Sequence, residues 1–155
     1  VKKFANLKGN EIVYDLYCGI GTISLFLSKE AKKIIGIETV KDAVQAAKSN
    51  SKLNNISNCK FIHGDVKDII AKPIKINEKP DIIIVDPPRN GLEKSVIKSI
   101  IELSPNKIIY VSCNSSTQAR DVIDLKEFYE IKTSQAIDMF PQTYHVENVV
   151  LLEKI

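Results

Sequence analysis

Five short apolar segments, each followed by an amphipathic segment, constrain the fold of this sequence more than any other feature. In chain order, the apolar segments read EIVYDLY, KKIIGIE, CKFIHGD, PDIIIVD and KIIYVSC. Strands that are apolar nearly throughout are typical of a parallel sheet whose two faces are covered by helices. In the second amphipathic segment, apolar side chains recur at helical spacing at Val40, Ala43, Val44 and Ala47. The alternation therefore predicts repeated β-α units around a parallel sheet.

The pattern changes after the fifth amphipathic segment. Two extended segments, YEIKTSQAIDMF and HVENVVLLEKI, are joined by PQTY with no helical segment between them. Strands joined by so short a connection pair in antiparallel fashion. We therefore expect an α/β fold, a doubly wound sheet with a C-terminal antiparallel hairpin, which is similar to the fold of many enzymes that use S-adenosylmethionine.

Length and composition limit the classes of protein to consider. The 155 residues suffice for one domain, which we expect to span residues 1–155. No stretch of about 18 apolar residues and no charged-then-apolar leader is present, so no membrane partner is expected. Three cysteines without a C-x-x-C pair argue against a disulfide framework and favour the cytoplasm. The net charge of +3 neither demonstrates nor excludes an RNA partner.

The segment DLYCGIGT, residues 15–22, lies between the first strand and the first helix. Its glycines, Gly19 and Gly21, would let the backbone approach a ligand at a helix N-terminus. A G-x-G pattern also occurs in plain strand-to-helix turns. Glu38 ends the second strand about 20 residues further on, where an acid can hydrogen-bond ribose hydroxyls, although it could merely start the next helix. Together the two features favour a cofactor that contains a ribose.

Further acids at strand ends help to distinguish between cofactors. The full dinucleotide fingerprint requires a third glycine, but Ser24 stands at that position. Asp65 ends the third strand, where it could contact an adenine, and Asp86 ends the fourth. The carboxyl ends of parallel strands line the crevice in which open sheets bind ligands. This arrangement favours S-adenosylmethionine over a nicotinamide cofactor, unless the acids coincide by chance.

The DPPR segment that begins at Asp86 predicts a stiff loop. Two consecutive prolines fix the backbone and lack N–H donors, so the loop could hold Asp86 toward the cofactor. A plain turn at a strand exit would also explain the prolines. Related loops in amino-methyltransferases have an aromatic fourth residue, whereas this sequence has Arg89.

Cys113 ends the fifth strand, at the same sheet edge as Asp86. Methyl transfer to nitrogen or oxygen needs no cysteine. Carbon 5 of a pyrimidine, however, is a poor nucleophile until a thiolate adds to carbon 6. A base must then remove the proton from carbon 5, and Glu147 in DMFPQTYHVE is the candidate.

The motifs DLYCGIGT, DPPRNGL, SCN and DMFPQTYHVE, in this order, resemble the catalytic domain of the RNA uracil-carbon-5 methyltransferases, which form 5-methyluridine in transfer and ribosomal RNA. The resemblance covers nearly the whole chain and implies the class I S-adenosylmethionine-dependent methyltransferase fold, which is Rossmann-like. It implies Cys113 as the nucleophile and Glu147 as the proton acceptor. It also implies a set of contacts to S-adenosylmethionine: Tyr17, Gly19, Gly21, Thr22, Glu38, Asp65 and Asp86.

The resemblance implies an RNA partner as well. A duplex would hide carbon 6 from a thiol, so the target uridine of tRNA or rRNA should lie in a loop or be flipped out. Full-length members carry an N-terminal RNA-binding β-barrel and a central domain. We therefore expect residues 1–155 to be a fragment of a longer protein, and we expect a monomer.

Two other functions remain open at this point. One is an RNA methyltransferase of the same fold that acts on an amino group, and the other is a cofactor-binding module that is inactive as a fragment. Cys18 and Cys59 are expected to be packed residues rather than reactive ones. No metal site is predicted, because His63 and His145 are far apart and no carboxylate cluster has ligand spacing.

Overall fold

The structure is a computed structural model that describes residues 1–71, 78–144 and 146–155. The strands are β1 (Ile12–Leu16), β2 (Lys33–Glu38), β3 (Cys59–His63), β4 (Ile82–Val85), β5 (Lys107–Ser112), β6 (Tyr129–Ile137) and β7 (Glu147–Lys154). The helices are α1 (Lys2–Ala5), α2 (Thr22–Leu27), α3 (Lys41–Leu53), α4 (Val66–Ile70), α5 (Lys94–Leu103) and α6 (Ser115–Leu125). Within the described ranges, no helix is both long and apolar enough to cross a membrane.

These strands form one seven-stranded sheet in the order β3-β2-β1-β4-β5-β7-β6. Strands β1 to β5 run parallel to one another, and β7 runs antiparallel to both β5 and β6. The predicted doubly wound sheet with a terminal antiparallel hairpin is therefore confirmed. The direction of winding reverses between β1 and β4, and ligands of open α/β sheets bind at such a switch point, beyond the carboxyl ends of the strands.

Apolar side chains on the two faces of the sheet form separate cores. One face packs against α4, α5 and α6, with residues such as Ile83, Ile100 and Leu125 fully buried. The other packs against α1 and α2, and a smaller cluster joins α3 to Phe61 of β3. Helices thus cover both faces, which explains why the central strands are apolar throughout.

The structure differs from the predicted elements in its first two longer helices. The first amphipathic segment is helical only over α2 and continues as a 3₁₀ turn at Ser28–Glu30. Val40 was expected in the apolar stripe of the next helix, but its backbone is extended and its side chain is 54% exposed. The reason is that the Val40 N–H donates to Glu38, so α3 begins only at Lys41 and the buried stripe begins at Val44.

The composition of KPIKINEKP, residues 72–80, predicts a surface connection, and this segment lies mostly outside the described residues, which resume at residue 78.

Candidate active site

The turn between β1 and α2 has a left-handed backbone at Gly19 (φ 53°) and Gly21 (φ 82°). A Cβ atom on Gly21 would lie 2.8 Å from the Phe61 ring, so no side chain fits there. Tyr17 is also left-handed (φ 65°), and its N–H donates to the Ile37 carbonyl at 2.9 Å. Strained backbone at a residue other than glycine is concentrated at functional sites. The turn is therefore held against the end of β2 by a backbone hydrogen bond.

Glu38 holds the same turn through both oxygens of its carboxylate. The Gly19 N–H donates to Oε2 at 3.0 Å, and the Val40 N–H donates to Oε1 at 2.8 Å. The Glu38 residue is buried, yet a carboxylate has about four acceptor positions. Two of these remain to accept hydrogen bonds from the hydroxyl groups of a ligand.

Sequence reasoning missed the role of Asp15 at the start of DLYCGIGT. Asp15 is 1% exposed, and its Oδ2 accepts hydrogen bonds from the Ser24 N–H at 3.1 Å and the Ser24 hydroxyl at 2.5 Å. Its Oδ1 has no hydrogen-bond partner among the described residues. Burial raises the pKa of Asp15 to about 7, against the hydrogen bonds from Ser24 and with help from the nearby charges of Asp86 and Glu38. An acid inside an apolar strand was the signal that could have revealed this site.

Asp65 and Thr22 have surroundings that the sequence did not predict. Asp65 is the N-cap of α4, where its side chain accepts the Lys67 N–H at 3.0 Å. Burial raises the pKa of Tyr17 to about 12, and the negative charges of Glu93 and then Asp65 raise it further in the same direction. Asp65 therefore lies near Tyr17. Thr22 lines a groove with Ile20 and Phe26 that does not include Cys113. Thr22 directly follows Gly21 of the turn in the chain.

The pairing of β5 with β7 brings Cys113 and Glu147 together. Ser112 is opposite Asn148 at the end of the antiparallel ladder. Cys113 and Glu147 are the residues just beyond this last pair, so both lie where the ladder ends. The nucleophile and the base that the sequence predicts are therefore neighbours at one edge of the sheet.

A cavity of about 450 Å³ opens beside this pair. Its lining residues come from the loops after β4 and β5 and from the segment before β7: Arg89, Cys113, Asn114, Ser115, Tyr144 and Val146. Val146 directly precedes Glu147 in the chain. A thiol, a guanidinium and an aromatic ring thus converge on a space large enough for a nucleobase.

Asp86 connects this cavity with the cofactor turn. Partial burial raises the pKa of Asp86 to about 6, and the negative charge of Glu147 raises it further in the same direction. The charge of Asp86 in turn raises the pKa of Asp15 beneath the turn. Such mutual effects require short separations. Asp86 therefore lies between the turn that carries Gly19 and the edge that carries Glu147.

The loop that follows Asp86 is held by helix α6 and not by its prolines alone. The Arg89 carbonyl accepts from the Asn114 side-chain amide at 3.2 Å and from the Thr117 hydroxyl at 3.1 Å. The buried Asp121 accepts the Leu92 N–H at 2.7 Å. Since α6 begins just after Cys113, the same helix fixes both loops of the cavity.

The other candidate residues have inert surroundings. Burial raises the pKa of Cys59 to about 11, and burial also raises that of Cys18. Neither thiol is therefore a good source of thiolate at neutral pH. Within residues 1–71, 78–144 and 146–155, no group of three or more His, Cys, Asp or Glu residues could hold a metal ion. His145 itself lies outside these ranges.

Residues 4–155 match the family model described as tRNA (Uracil-5-)-methyltransferase. The chain belongs to this family. It is 49% identical over 155 residues to an uncharacterized RNA methyltransferase of Enterococcus faecalis, covering 99% of this chain and 34% of that protein. A second such protein, from Bacteroides thetaiotaomicron, is 50% identical over 153 residues, with 98% and 34% covered. The chain thus spans about a third of the length of these family members.

Solved structures agree with the family assignment. The tRNA (uracil-54, C5)-methyltransferase of Pyrococcus abyssi, in complex with S-adenosyl-L-homocysteine, matches with a TM-score of 0.85 and 35% identity. The match covers 97% of this chain and 36% of that one. A dimethyladenosine transferase of Plasmodium falciparum matches with a TM-score of 0.76 and 19% identity over 99% of this chain and 59% of that one, which shows the fold alone. The family's class I methyltransferase fold is therefore confirmed.

The buried Asp15 generates a prediction about pH and stability. Because the pKa of Asp15 is about 7 in the folded chain and 3.8 for a fully solvated carboxyl, the folded chain binds more protons between these values. Raising the pH through this range should therefore lower the free energy of unfolding, by up to about 1.4 kcal/mol for each pH unit. Asp15→Asn should remove this part of the pH dependence, as measured by urea unfolding from about pH 5 to about pH 7.

Asp42→Asn, a change at an exposed residue of α3, is the matched control and should leave the pH dependence unchanged. Equal pH dependence in the unsubstituted protein and in the Asp15→Asn variant would contradict this account of the buried carboxyl.

Proposed function

We propose that this domain transfers a methyl group from S-adenosylmethionine to carbon 5 of a uridine in RNA through a covalent adduct between Cys113 and carbon 6. The single observation that carries the proposal is the antiparallel pairing of β5 with β7, which ends at Ser112 and Asn148. The residues just beyond that pair, Cys113 and Glu147, therefore lie at the same edge of the sheet, and Cys113 lines the cavity. A nucleophile and a base at neighbouring positions are what this chemistry needs, and methylation of an amino group needs neither.

The residues of the cofactor turn fit S-adenosylmethionine. Nothing lies within 4 Å of the place that a Gly19 Cβ would take, so the backbone there is open to approach by a ligand. The two remaining acceptor positions of Glu38 suit the hydroxyls of a ribose, and Asp65 and Tyr17 lie near each other beyond β3 and β1. When bound, the cofactor supplies a methyl group with the character of an electrophile.

Cys113 acts first in this mechanism. Its thiolate forms a bond to carbon 6 of the uracil ring, and the electrons of the carbon 5–carbon 6 double bond move toward carbon 5 and the adjacent carbonyl oxygen. Carbon 5 then becomes nucleophilic enough to take the methyl group, whose bond to the donor sulfur breaks with its electrons remaining on sulfur. The result is a methylated ring that is still bound to Cys113 and still carries the carbon 5 proton.

Glu147 completes the reaction. Its carboxylate accepts the proton from carbon 5, and the electrons of that carbon–hydrogen bond restore the double bond between carbons 5 and 6. The bond between carbon 6 and the Cys113 sulfur breaks, and the cysteine leaves as a thiolate. Product and free enzyme are thereby regenerated without an oxidant or a metal ion.

The substrate that fits best is an unpaired uridine of tRNA or rRNA. The ring must be out of a base stack for Cys113 to reach carbon 6. The net charge of +3 is small for binding to a polyanion, so we infer that other parts of the full-length protein supply most of the affinity for RNA. This inference agrees with family members that are about three times as long.

The cofactor assignment makes a prediction about affinity. S-adenosylhomocysteine should bind, and Glu38→Ala should weaken its binding by about 1 to 3 kcal/mol, because hydrogen bonds to the ribose and to the Gly19 N–H are lost. Isothermal calorimetry measures the affinity of S-adenosylhomocysteine for the unsubstituted protein and for the Glu38→Ala variant. The exposed Glu102 of α5 provides the control, since Glu102→Ala should not change the affinity. Tighter binding of NAD than of S-adenosylhomocysteine would overturn the assignment.

The catalytic roles predict different failures for two variants of the full-length protein. Glu147→Gln should attack and methylate the uridine but fail to release it, because no base removes the carbon 5 proton. It should accumulate a methylated protein–RNA adduct that appears as a shifted band on a denaturing gel. Cys113→Ala should give neither adduct nor product.

Cys59→Ala, a change at the partly buried cysteine of β3, is the matched control and should retain turnover. Binding of S-adenosylhomocysteine to each variant reports whether its fold is intact. Normal turnover by Cys113→Ala would show that the cysteine is only a packed strand-end residue and would favour methylation of an amino group instead.

A further inference from the structure

A pair of side-chain amides joins α6 to the start of β7. The Asn148 Nδ2 donates to the Gln118 Oε1 at 2.7 Å, and the Gln118 Nε2 donates to the Asn148 carbonyl at 3.3 Å. The same Gln118 nitrogen donates to the Tyr110 carbonyl at 2.9 Å. Gln118 is 2% exposed, so these bonds form away from water. One buried side chain therefore connects β5, α6 and β7.

The amide pair lies next to both proposed catalytic residues in the chain. Asn148 directly follows Glu147, and Gln118 is in the first turns of α6, which begins two residues after Cys113. The Asn148 Oδ1 also accepts the Ser134 hydroxyl of β6 at 3.0 Å. The first residues of β7 are thus held from α6 on one side and from β6 on the other.

The two sides of this attachment are unequal. Strand β6 is at the edge of the sheet, and its residues after Tyr129 are exposed. Gln118 is buried, where a hydrogen bond is stronger and an unmade one is more costly. The bonds from α6 are therefore the main side-chain restraint on the start of β7.

Side chains of β7 point alternately to the two faces of the sheet, so a restraint on Asn148 also fixes the direction of the Glu147 side chain. Val150 and Leu152 face the core that contains α6, so Asn148, at the same parity, faces α6 as well. Glu147 has the opposite parity, shared with Val149 and Leu151 of the other core. A rotation of the strand that freed Asn148 from Gln118 would also turn Glu147 away from the end of β5, which Cys113 follows.

We propose that the Gln118–Asn148 amide pair positions Glu147 for removal of the carbon 5 proton. This inference rests on the proposed function, because it assumes that Glu147 is the base. The pair is a positioning device, since neither amide touches the substrate in this account. Its loss should slow release of the methylated RNA more than it slows attack by Cys113.

The nucleophile has restraints of its own, which is why attack should be spared. The Asn114 N–H donates to the Ser112 hydroxyl at 3.0 Å, and the Ser112 hydroxyl donates to the Asn114 carbonyl at 2.9 Å. The Asn114 side chain caps α6 by accepting the Ser116 N–H at 3.1 Å. None of these bonds involves the side chain of Gln118 or Asn148. Asn148→Ser also leaves the bond from Gln118 to the Tyr110 carbonyl of β5 in place, so attack by Cys113 should be spared.

The test compares two rates in the full-length protein with uridine-containing RNA and S-adenosylmethionine. Adduct formation is followed on denaturing gels after rapid quenching, and release is followed by chasing a preformed adduct. In Gln118→Met and in Asn148→Ser, release should slow by about tenfold or more, because small misplacements of a catalytic group are costly. Adduct formation should change by less than about twofold.

Three controls separate positioning from general damage. Gln135→Met removes an exposed amide that donates to the neighbouring Ala136 carbonyl, so both rates should be unchanged. Ile100→Val removes a methyl group from the buried core beside α5, far in the chain from Cys113 and Glu147. It should lower the melting temperature of the protein but should not slow release selectively. The double variant Gln118→Asn with Asn148→Gln restores the reach between the two amides and should recover release relative to either single variant.

The outcomes distinguish this inference from the proposed function. If the unsubstituted protein forms no adduct that depends on Cys113, the proposed function is wrong and the inference is wrong with it. If the adduct forms but both variants slow formation and release equally, the proposed function stands and the positioning role is overturned. Asn148→Ser keeps a small polar side chain at a partly exposed site, so it provides a folded variant if Gln118→Met does not fold.

Discussion

The antiparallel pairing of β7 with β5 is the constraint on which the candidate active site depends. Because β7 runs opposite to β5, its first residue, Glu147, meets the carboxyl end of β5, where Cys113 lies. A parallel strand of the same length would carry Glu147 to the opposite edge of the sheet, roughly 20 Å away. The remaining part of the sheet, β1 to β5, is parallel, and it brings the cofactor turn and Asp86 to this same edge. The hairpin thus supplies the residue that parallel β-α units could not.

Helix α6 joins the parts of this edge into one unit. Through Asp121 and Thr117 it holds the loop after Asp86, and through Gln118 it holds the start of β7. The buried Asp15 holds the cofactor turn in place, because its carboxylate accepts hydrogen bonds from both the N–H and the hydroxyl of Ser24. Buried polar groups with several partners cost free energy to break, so they favour a single arrangement. We infer that these contacts fix the position of the cofactor turn relative to the cavity.

The sheet could be predicted from the sequence because apolar periodicity and turn residues act over a few positions. The same local patterns predicted the G-x-G turn and the acids at strand ends, and the chemistry of carbon 5 pointed to Cys113. The roles of Gln118, Asn148 and Asp121 could not be predicted, since their partners lie about 30 residues away and no local pattern marks them. Val40 was assigned wrongly because its N–H bonds to the side chain of Glu38, two residues earlier, and the helical pattern does not show this contact. Hydrogen bonds between distant residues thus account for the roles of Gln118, Asn148 and Asp121 that sequence reasoning missed.

The most direct measurement of the central claim is peptide mapping of a trapped adduct. RNA that contains 5-fluorouridine should trap the unsubstituted full-length protein in the presence of S-adenosylmethionine, because fluorine at carbon 5 cannot leave as a proton. Cleavage after Lys107 and Arg120 isolates residues 108–120, in which Cys113 is the sole cysteine. Mass spectrometry should find the methylated, fluorinated nucleotide on this peptide. A nucleotide on the peptide of Cys18 or Cys59, or no covalent adduct at all, would contradict the account.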